Sequence, residues 1–360
     1  MSTRLRIALT VDPYLPVPPR HYGGIERVVD FLVRGLAARG HEVALFAHPE
    51  SRINARLIAY GRPPHVGPVP RLAELWQVGA RLLQQRQQFD LVHSFGRLAA
   101  LLPVLPLRTL PKIQSYQRDR VPWRGVRAAV RLAGDSIRFT ACSASVYRER
   151  SAQGAYGGRW HTVHNGVDVA AYDCVAGVAS DAPLAFLGRL EPMKGAHHAI
   201  AIAKAAGRHL VIAGNRVEAG AAAAYFEQAI APHVDGERVR YIGPVDDAAK
   251  NRLLGGCAAL LMPVEWEEPF GIVMVEAMAC GTPVIGFARG SVPEVVRHGE
   301  NGFLCATVEE AAAAVPEIAR LDRTRVRADC ERRFAAPAVV ATYERLYWEM
   351  LSAATPAGGA

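Results

Sequence analysis

Short apolar runs alternate with amphipathic helical stretches along nearly the whole chain, and that alternation leaves few folds open. Arg6–Val11 reads as a strand buried on both faces, and Ile25–Arg39 sets Ile25, Val28, Val29, Leu32 and Leu36 on one helical stripe. Glu42–Ala47 returns to strand. Leu72–Gln88 follows as helix, then Leu91–His93 and Lys112–Tyr116 as strands. Strands separated by helices of this length pair in parallel, with helices on both faces of the sheet. The rhythm pauses over Asn165–Ala182, rich in Gly, Ala and Asp, and then restarts. Strands are expected at Leu184–Leu187, Leu210–Ala213, Val239–Ile242, Ala258–Met262 and Pro283–Gly286. Helices are expected at Ala196–Ala206, Ala221–Ile230, Ala248–Leu254 and Val273–Cys280. The expected fold class is therefore α/β, two doubly wound domains at 1–166 and 167–336, in keeping with 360 residues at roughly 150 per domain. Helical stretches at Val308–Leu321, about Arg323–Arg333 and Pro337–Leu351 close the chain, and 352–360 is expected to fray. Open α/β sheets bind ligands at the carboxyl ends of their strands, so the functional residues are expected just after strands, facing an interdomain cleft.

Composition excludes several classes. No run of about 18 uncharged apolar residues predicts a membrane-spanning helix, and Met1–Thr10 lacks the pattern of a signal peptide. The six cysteines are scattered, with no C-x-x-C pair and no Cys/His cluster, which favours a reducing cytoplasm over a disulfide framework or structural zinc. Charge is divided unevenly. Residues 1–165 hold 24 Lys and Arg against 10 Asp and Glu, a balance of +14, and residues 166–360 hold 18 against 24, a balance of −6. Arg118, Arg120, Arg124, Arg127, Arg131 and Arg138 cluster around Trp123, and Arg124, Arg127 and Arg131 share a helical face. Such a face is either simply solvated or a contact for something anionic, a phospholipid surface or an anionic acceptor. Nucleic acid is not expected, because no single-strand or helix-turn-helix pattern stands out.

Three segments carry chemistry. Gly23-Gly24 opens the first helix after a proline-rich loop, where backbone amides and the helix N-terminus suit a phosphate. A tight turn explains the same pair, and neither G-x-G-x-x-G nor G-x-x-x-x-G-K-[ST] is present. Arg189 and Lys194 flank the turn after Phe186-Leu187-Gly188; the first offers a fork and the second a point charge for a diphosphate. The chain has only four lysines against 38 arginines, so Lys194 is not typical surface filler. Glu268 and Glu276 bracket Pro269-Phe270-Gly271-Ile272 and the start of a helix. A carboxylate at Glu276, in an otherwise apolar helix, is either a face charge or a buried acceptor for vicinal sugar hydroxyls.

Together these residues resemble the E-x7-E signature of retaining GT-B glycosyltransferases, with the large bacterial family 4 as the nearest match. The Glu268 to Glu276 stretch is followed by Ala277-Met278-Ala279-Cys280-Gly281-Thr282-Pro283-Val284. Gly23-Gly24, Arg189…Lys194, His164-Asn165-Gly166-Val167-Asp168 and Pro293-Glu294…Gly299…Gly302-Phe303-Leu304 resemble the family's other elements in order, over essentially the whole chain. The resemblance implies two Rossmann-like domains and a nucleotide-sugar donor, UDP- or GDP-linked. Arg189 and Lys194 would then hold the leaving diphosphate with help from the Gly24 amide. Glu276 would bridge the ribose hydroxyls, and Glu268 with the amides around Phe270, Gly271 and Ile272 would hold the donor sugar. Backbone at Gly243, Pro244 and Val245 would meet the base, and the last helix would pack back on the first domain. Where the family often has a histidine near the donor sugar, this chain has Gln117, which hydrogen-bonds but does not titrate near neutrality. His93 is a second cleft candidate, or an ordinary strand-end histidine.

No D-x-D motif and no metal-ligand spacing is visible, so neither a metal nor another cofactor is expected. The implied reaction moves a hexosyl group to a hydroxyl acceptor whose identity, saccharide, lipid-linked or small metabolite, stays open. A cytoplasmic protein with peripheral contact at the inner membrane face fits the basic half. Two other readings stand beside it: a catalytically silent nucleotide-sugar-binding partner subunit, and a sugar-nucleotide epimerase on the same scaffold, for which the extra acid/base carboxylates and histidines do not assemble.

Overall fold

Each apolar run forms a strand, and the strands sort into two wholly parallel sheets. The computed structural model describes residues 4–19, 23–61, 72–152, 157–217 and 221–354. It divides into two units, 1–165 with 336–360, and 166–335. In the first unit β1 (Arg6–Thr10), β2 (Glu42–Ala47), β3 (Arg56–Ala59), β4 (Leu91–Ser94), β5 (Lys112–Tyr116), β6 (Ile137–Ala141) and β7 (Arg159–Thr162) run in the order β3-β2-β1-β4-β5-β6-β7. In the second, β8 (Leu184–Leu187), β9 (Leu210–Ala213), β10 (Val239–Tyr241), β11 (Ala259–Met262), β12 (Val284–Phe287) and β13 (Gly302–Cys305) run in the order β10-β9-β8-β11-β12-β13. Both orders reverse direction beside the first strand of the unit, the switch point where doubly wound sheets open a crevice. Both units are thus Rossmann-like, the α/β class expected from the sequence.

In the first unit one sheet face packs Ile7, Leu9, Leu91 and Ile113 against the helix Gly24–Ala38 and the C-terminal helix Ala336–Ala354. Those helices approach so closely that a Cβ on Gly35 would stand 2.6 Å from Val340 Cγ2. The other face packs Ala8, Phe46, Val92 and Phe139 against Leu75 and Leu82 of the helix Leu72–Gln84 and Val126 and Ala129 of Trp123–Ala133. In the second unit the helix Arg323–Phe334 buries a narrow stripe of Val326, Cys330 and Phe334 and is further tied down by arginines. Buried Arg323 donates to Val175 O, Cys257 O, Gly255 O and Thr282 Oγ1, at 2.6 to 3.0 Å. Arg327 donates to Tyr172 O, Val169 O and Ala279 O. The last of these satisfies a carbonyl left open at the end of the helix Ile272–Ala279.

Several elements differ from expectation. Strands β3, β6, β7 and β13 are additional; β3 is an edge strand whose residues are half-buried or exposed, so its apolar signal is weak. The C-terminal helix runs three residues past Leu351, to Ala354; residues 355–360 of the expected frayed tail lie outside the described residues, as does Tyr22. All six cysteines are free thiols, five of them buried. Among the described residues no helix is long and apolar enough to cross a membrane.

Candidate functional site

The strand ends of the second unit converge on two buried carboxylates. After β8 the chain turns through Pro192–Lys194 to Gly195, whose φ of 76° is open to glycine. A Cβ there would sit 1.9 Å from Pro263 O, so the turn lies directly against the loop that follows β11. Glu265 N donates to Met193 O at 2.9 Å and fastens the two segments. This brings Lys194 Nζ to 2.5 Å from Glu268 Oε2, which also accepts from Trp266 Nε1 at 2.9 Å, and the ammonium lies 4.7 Å from the Trp266 ring centre. The Glu268 backbone is fixed from the other side. Ser291 N donates to Glu268 O at 2.8 Å, and Gly290, with φ 57°, leaves room where a Cβ would meet Glu268 N at 2.3 Å.

Glu276 repeats the arrangement one element later. It lies in the helix Ile272–Ala279, whose other inward residues Met274, Val275, Ala277 and Met278 are buried and apolar. Its Oε1 accepts from Lys250 Nζ at 2.6 Å and from Tyr172 Oη at 2.8 Å, and Lys250 lies 5.6 Å from the Tyr172 ring centre. In each station a lysine and an aromatic donor hold one carboxylate oxygen. Among the described residues Glu268 Oε1 and Glu276 Oε2 accept no hydrogen bond. Both pairs are largely buried, so removing one partner leaves a charge without compensation. Each arrangement can hold a hydroxyl-bearing ligand on the open oxygen while its lysine faces anionic groups.

The remaining expected residues of this unit fall around those stations. Arg189 is half-exposed and paired with Glu191 at 2.7 Å. Phe270 is buried and packs edge-on against Phe334, and Gly271, with φ 69°, starts the helix that Ile272 opens. Pro244 and Val245 follow Gly243, whose carbonyl accepts from Gly214 N at 2.9 Å after β10. Lys250 was missed; the scarcity of lysine that marked Lys194 applied equally to it.

In the first unit Gly23 precedes the helix that Gly24 begins, and a Cβ on Gly23 would meet Pro19 Cβ at 2.7 Å and Glu26 Oε2 at 2.9 Å. Burial pushes the Glu26 carboxyl above its ordinary range. Gln117 follows β5, and both its side-chain amide atoms are shielded from solvent without a hydrogen-bond partner. Thr10, Ser94 and Gln114 stand in register across β1, β4 and β5, and Thr10 Oγ1, Ser94 Oγ and Gln114 Oε1 are likewise buried and unpartnered. Buried polar atoms are nearly always satisfied in folded proteins, so unpartnered amides and hydroxyls at strand ends point to a ligand or ordered water.

Of the two readings of His93, the structure fits the ordinary strand-end histidine. It is fully buried, its Nδ1 is 2.7 Å from Tyr347 Oη and its Nε2 is 2.6 Å from Ser115 Oγ, and burial lowers its pKa to about 3. Position on the β4 pleat decides this, because His93 points to the face covered by the C-terminal helix. Of the arginines clustered around Trp123, Arg138 is buried within β6. Arg124, Arg127 and Arg131 are exposed on the helix Trp123–Ala133, and Trp123 is half-buried against Trp160.

A third grouping is new. His197 and His198, in the first turn of the helix Ala196–Ala205, meet Glu265 of the loop after β11. The 67 residues between the histidines and this glutamate hid them from a search for ligand spacing.

Two family models match consecutive stretches of the chain, Glycosyltransferase Family 4 over residues 22–171 and Glycosyl transferases group 1 over residues 179–332. The chain is 32% identical over 127 residues to the N-acetyl-alpha-D-glucosaminyl L-malate synthase of Bacillus anthracis, a match covering 33% of this chain and 32% of that protein. It is 28% identical over 385 residues to a glycogen synthase of Mycobacterium tuberculosis, covering 91% of this chain and 92% of the relative. Among solved structures, Anabaena HepE in complex with UDP and glucose superposes with a TM-score of 0.70 at 22% identity, over 95% of this chain and 99% of HepE, a likeness of fold.

Proposed function

From a chain that belongs to the GT-B glycosyltransferases and is family 4-like, we propose a retaining hexosyltransferase that takes its sugar from a UDP- or GDP-linked donor and gives it to a hydroxyl acceptor. The observation that carries this reading is the pair of lysine–glutamate stations, each with one carboxylate oxygen held and the other open. Lys194 and Arg189 receive the donor's diphosphate, and Glu276 accepts from the ribose hydroxyls. Glu268 and the backbone from Phe270 to Ile272 hold the sugar, and the backbone at Pro244 and Val245 meets the base. Gly23 and Gly24 are assigned to donor phosphate oxygens, and Gln117 to a sugar hydroxyl. Binding of UDP and glucose by HepE supports a nucleotide-sugar ligand on this fold.

The chemistry follows from where charge develops. The bond from the anomeric carbon to the phosphate oxygen breaks, and its electron pair stays on the diphosphate. Fixed cations stabilise that charge more than they stabilise the bound donor, which lowers the barrier. The acceptor hydroxyl attacks from the face the diphosphate leaves, and its proton passes to a leaving phosphate oxygen, so configuration is retained. Glu268 is assigned to the hydroxyls of the donor sugar, the role the family resemblance implies, and no covalent intermediate is proposed on it; Lys194 and Trp266 hold its Oε2. No metal is assigned a role in bond cleavage.

Thermal stabilisation against UDP, GDP, ADP, dTDP and their common sugar conjugates, without added Mg2+ or Mn2+, tests the donor. A ligand at about 100 times its dissociation constant adds about 2.7 kcal/mol. A shift with one nucleotide fixes the base; none with any of them overturns the site assignment for these donors and points to a donor outside the panel or to a partner protein that binds no nucleotide-sugar. The anomeric configuration of the product separates retention from inversion. The exposed Arg124, Arg127 and Arg131 are assigned to an anionic membrane surface. Binding to anionic vesicles should weaken with salt and on reversal of these charges to Glu, and equal binding to neutral vesicles would remove the assignment.

A further inference from the structure

We propose that His197, His198 and Glu265 form a binding site for a borderline divalent cation of the Zn2+ class, beside the donor site and separate from bond cleavage. One ligand atom from each residue lies within 4.8 Å of the others. His198 Nε2 is 2.9 Å from Glu265 Oε1, and His197 Nε2 is 3.8 Å from the same oxygen. Ligand atoms around tetrahedral zinc stand about 3.3 Å apart, as bonds near 2.0–2.1 Å require, so small side-chain rotations close the set. Two imidazoles and one carboxylate suit zinc, nickel or copper and not magnesium or calcium, which take oxygen ligands.

The surroundings resemble those of a metal-ligating histidine. His197 Nδ1 is 2.9 Å from Tyr225 Oη, which also accepts from His197 N at 3.2 Å. In the tautomer with the proton on Nδ1, that nitrogen donates to the phenol and Nε2 keeps a lone pair facing Glu265. Outer hydrogen bonds of this kind fix ring orientation at metal sites. The helix N-terminus disfavours a cation at this end, and the Glu265 carboxylate supplies the opposing charge. All three side chains remain partly exposed, so an ion has an entry path and room for a water ligand.

The location gives the site a consequence. His197 is three residues beyond Lys194, Glu265 is three residues before Glu268, and Glu265 N already donates to Met193 O. A bound ion would cross-link the two segments that carry Lys194 and Glu268, and hold that station in one geometry before the donor arrives.

The test uses the full chain stripped by a chelator, with Zn2+ alone as probe, read by competition with a chromophoric zinc indicator in the absence of nucleotide. The wild type is expected to take one equivalent, and His198→Ala and Glu265→Gln to weaken it at least about tenfold, with Tyr225→Phe near the lower end of that range. Glu265 is exposed, so the Gln variant keeps the fold even where the histidine variant does not. Zinc should also slow amide exchange at 193–197 and 264–266 in the wild type but not in Glu265→Gln. No binding, or affinity unchanged across these variants, overturns the proposal. Because the readout needs no nucleotide, its failure is distinct from failure of the donor assignment.

Discussion

The two units share a sheet plan and differ in what they bury at their strand ends. At the carboxyl ends of the second unit's strands two charged pairs are buried, Lys194 with Glu268 and Lys250 with Glu276. At those of the first the groups shielded without partners are neutral, Gln117, Thr10 and Ser94, and the carboxyl of Glu26 is shifted by burial toward its uncharged form. Beneath them His93, Ser115, Thr140 and Tyr343 form an uncharged hydrogen-bonded chain. Under the proposed function the lysines of the second unit face the diphosphate and the open carboxylate oxygens beside them take ribose and sugar hydroxyls, while the neutral side chains of the first unit suit further hydroxyl groups.

The strongest way to break this contrast is Lys194→Ala. It should cost about 2–4 kcal/mol of transition-state stabilisation, read as kcat/KM, because the contact proposed between this largely buried ammonium and the leaving diphosphate is lost. Turnover near that of the wild type would dissolve the distinction. Next, Glu276→Ala should weaken donor binding by about 2–3 kcal/mol, read from the dissociation constant. Lys250→Met should weaken donor binding less while lowering the melting temperature, since Glu276 loses a buried partner. Equal effects on affinity from both would place Lys250 on the ligand itself.

The neutral half carries its own pH signature. The pKa of His93 is about 3 in the folded state and about 6.5 when unfolded, so the unfolded chain binds the extra proton first. The stabilisation is complete above pH 6.5 and falls by about 1.4 kcal/mol per unit as pH drops toward 3. Denaturant unfolding at pH 6.5 and 5 should differ accordingly, and the His93 imidazole should remain neutral at pH 5 by NMR; a protonated ring at that pH would contradict its place in the core. The smallest effect is expected at Gln117→Ala, about 1 kcal/mol in kcat/KM with nucleotide affinity unchanged. A loss of affinity for the nucleotide alone would move Gln117 from the sugar to the phosphates.

Local sequence made much of this legible. Short continuous apolar runs and period-3.6 patterns marked the central strands and the helices between them, because a strand buried on both faces and an amphipathic helix each leave a local hydrophobic trace. The edge strand β3 left little trace, because its residues are not buried. Glu268, Glu276 and Lys194 were visible because charged residues were set among small and apolar ones. Lys250 was not, because its helix Asp247–Gly256 is polar and the lysine looks like any solvated side chain until Glu276 is placed beside it. His93 carries the same letters whether it faces a ligand or a core; the pleat and the covering C-terminal helix, 254 residues away, choose the core.

By itself the sequence determined the α/β class, the parallel pairing of the strands within each half and the order of the chemistry-bearing segments, since hydrophobic periodicity and glycine placement act within a few residues. Only the tertiary structure decided which charges are paired and which polar atoms are left open. It also decided which histidines come to share a glutamate. Those outcomes depend on contacts such as His198 to Glu265 and Lys194 to Glu268, across 67 and 74 positions. They exist only once parallel strands bring their carboxyl ends to one edge of the sheet.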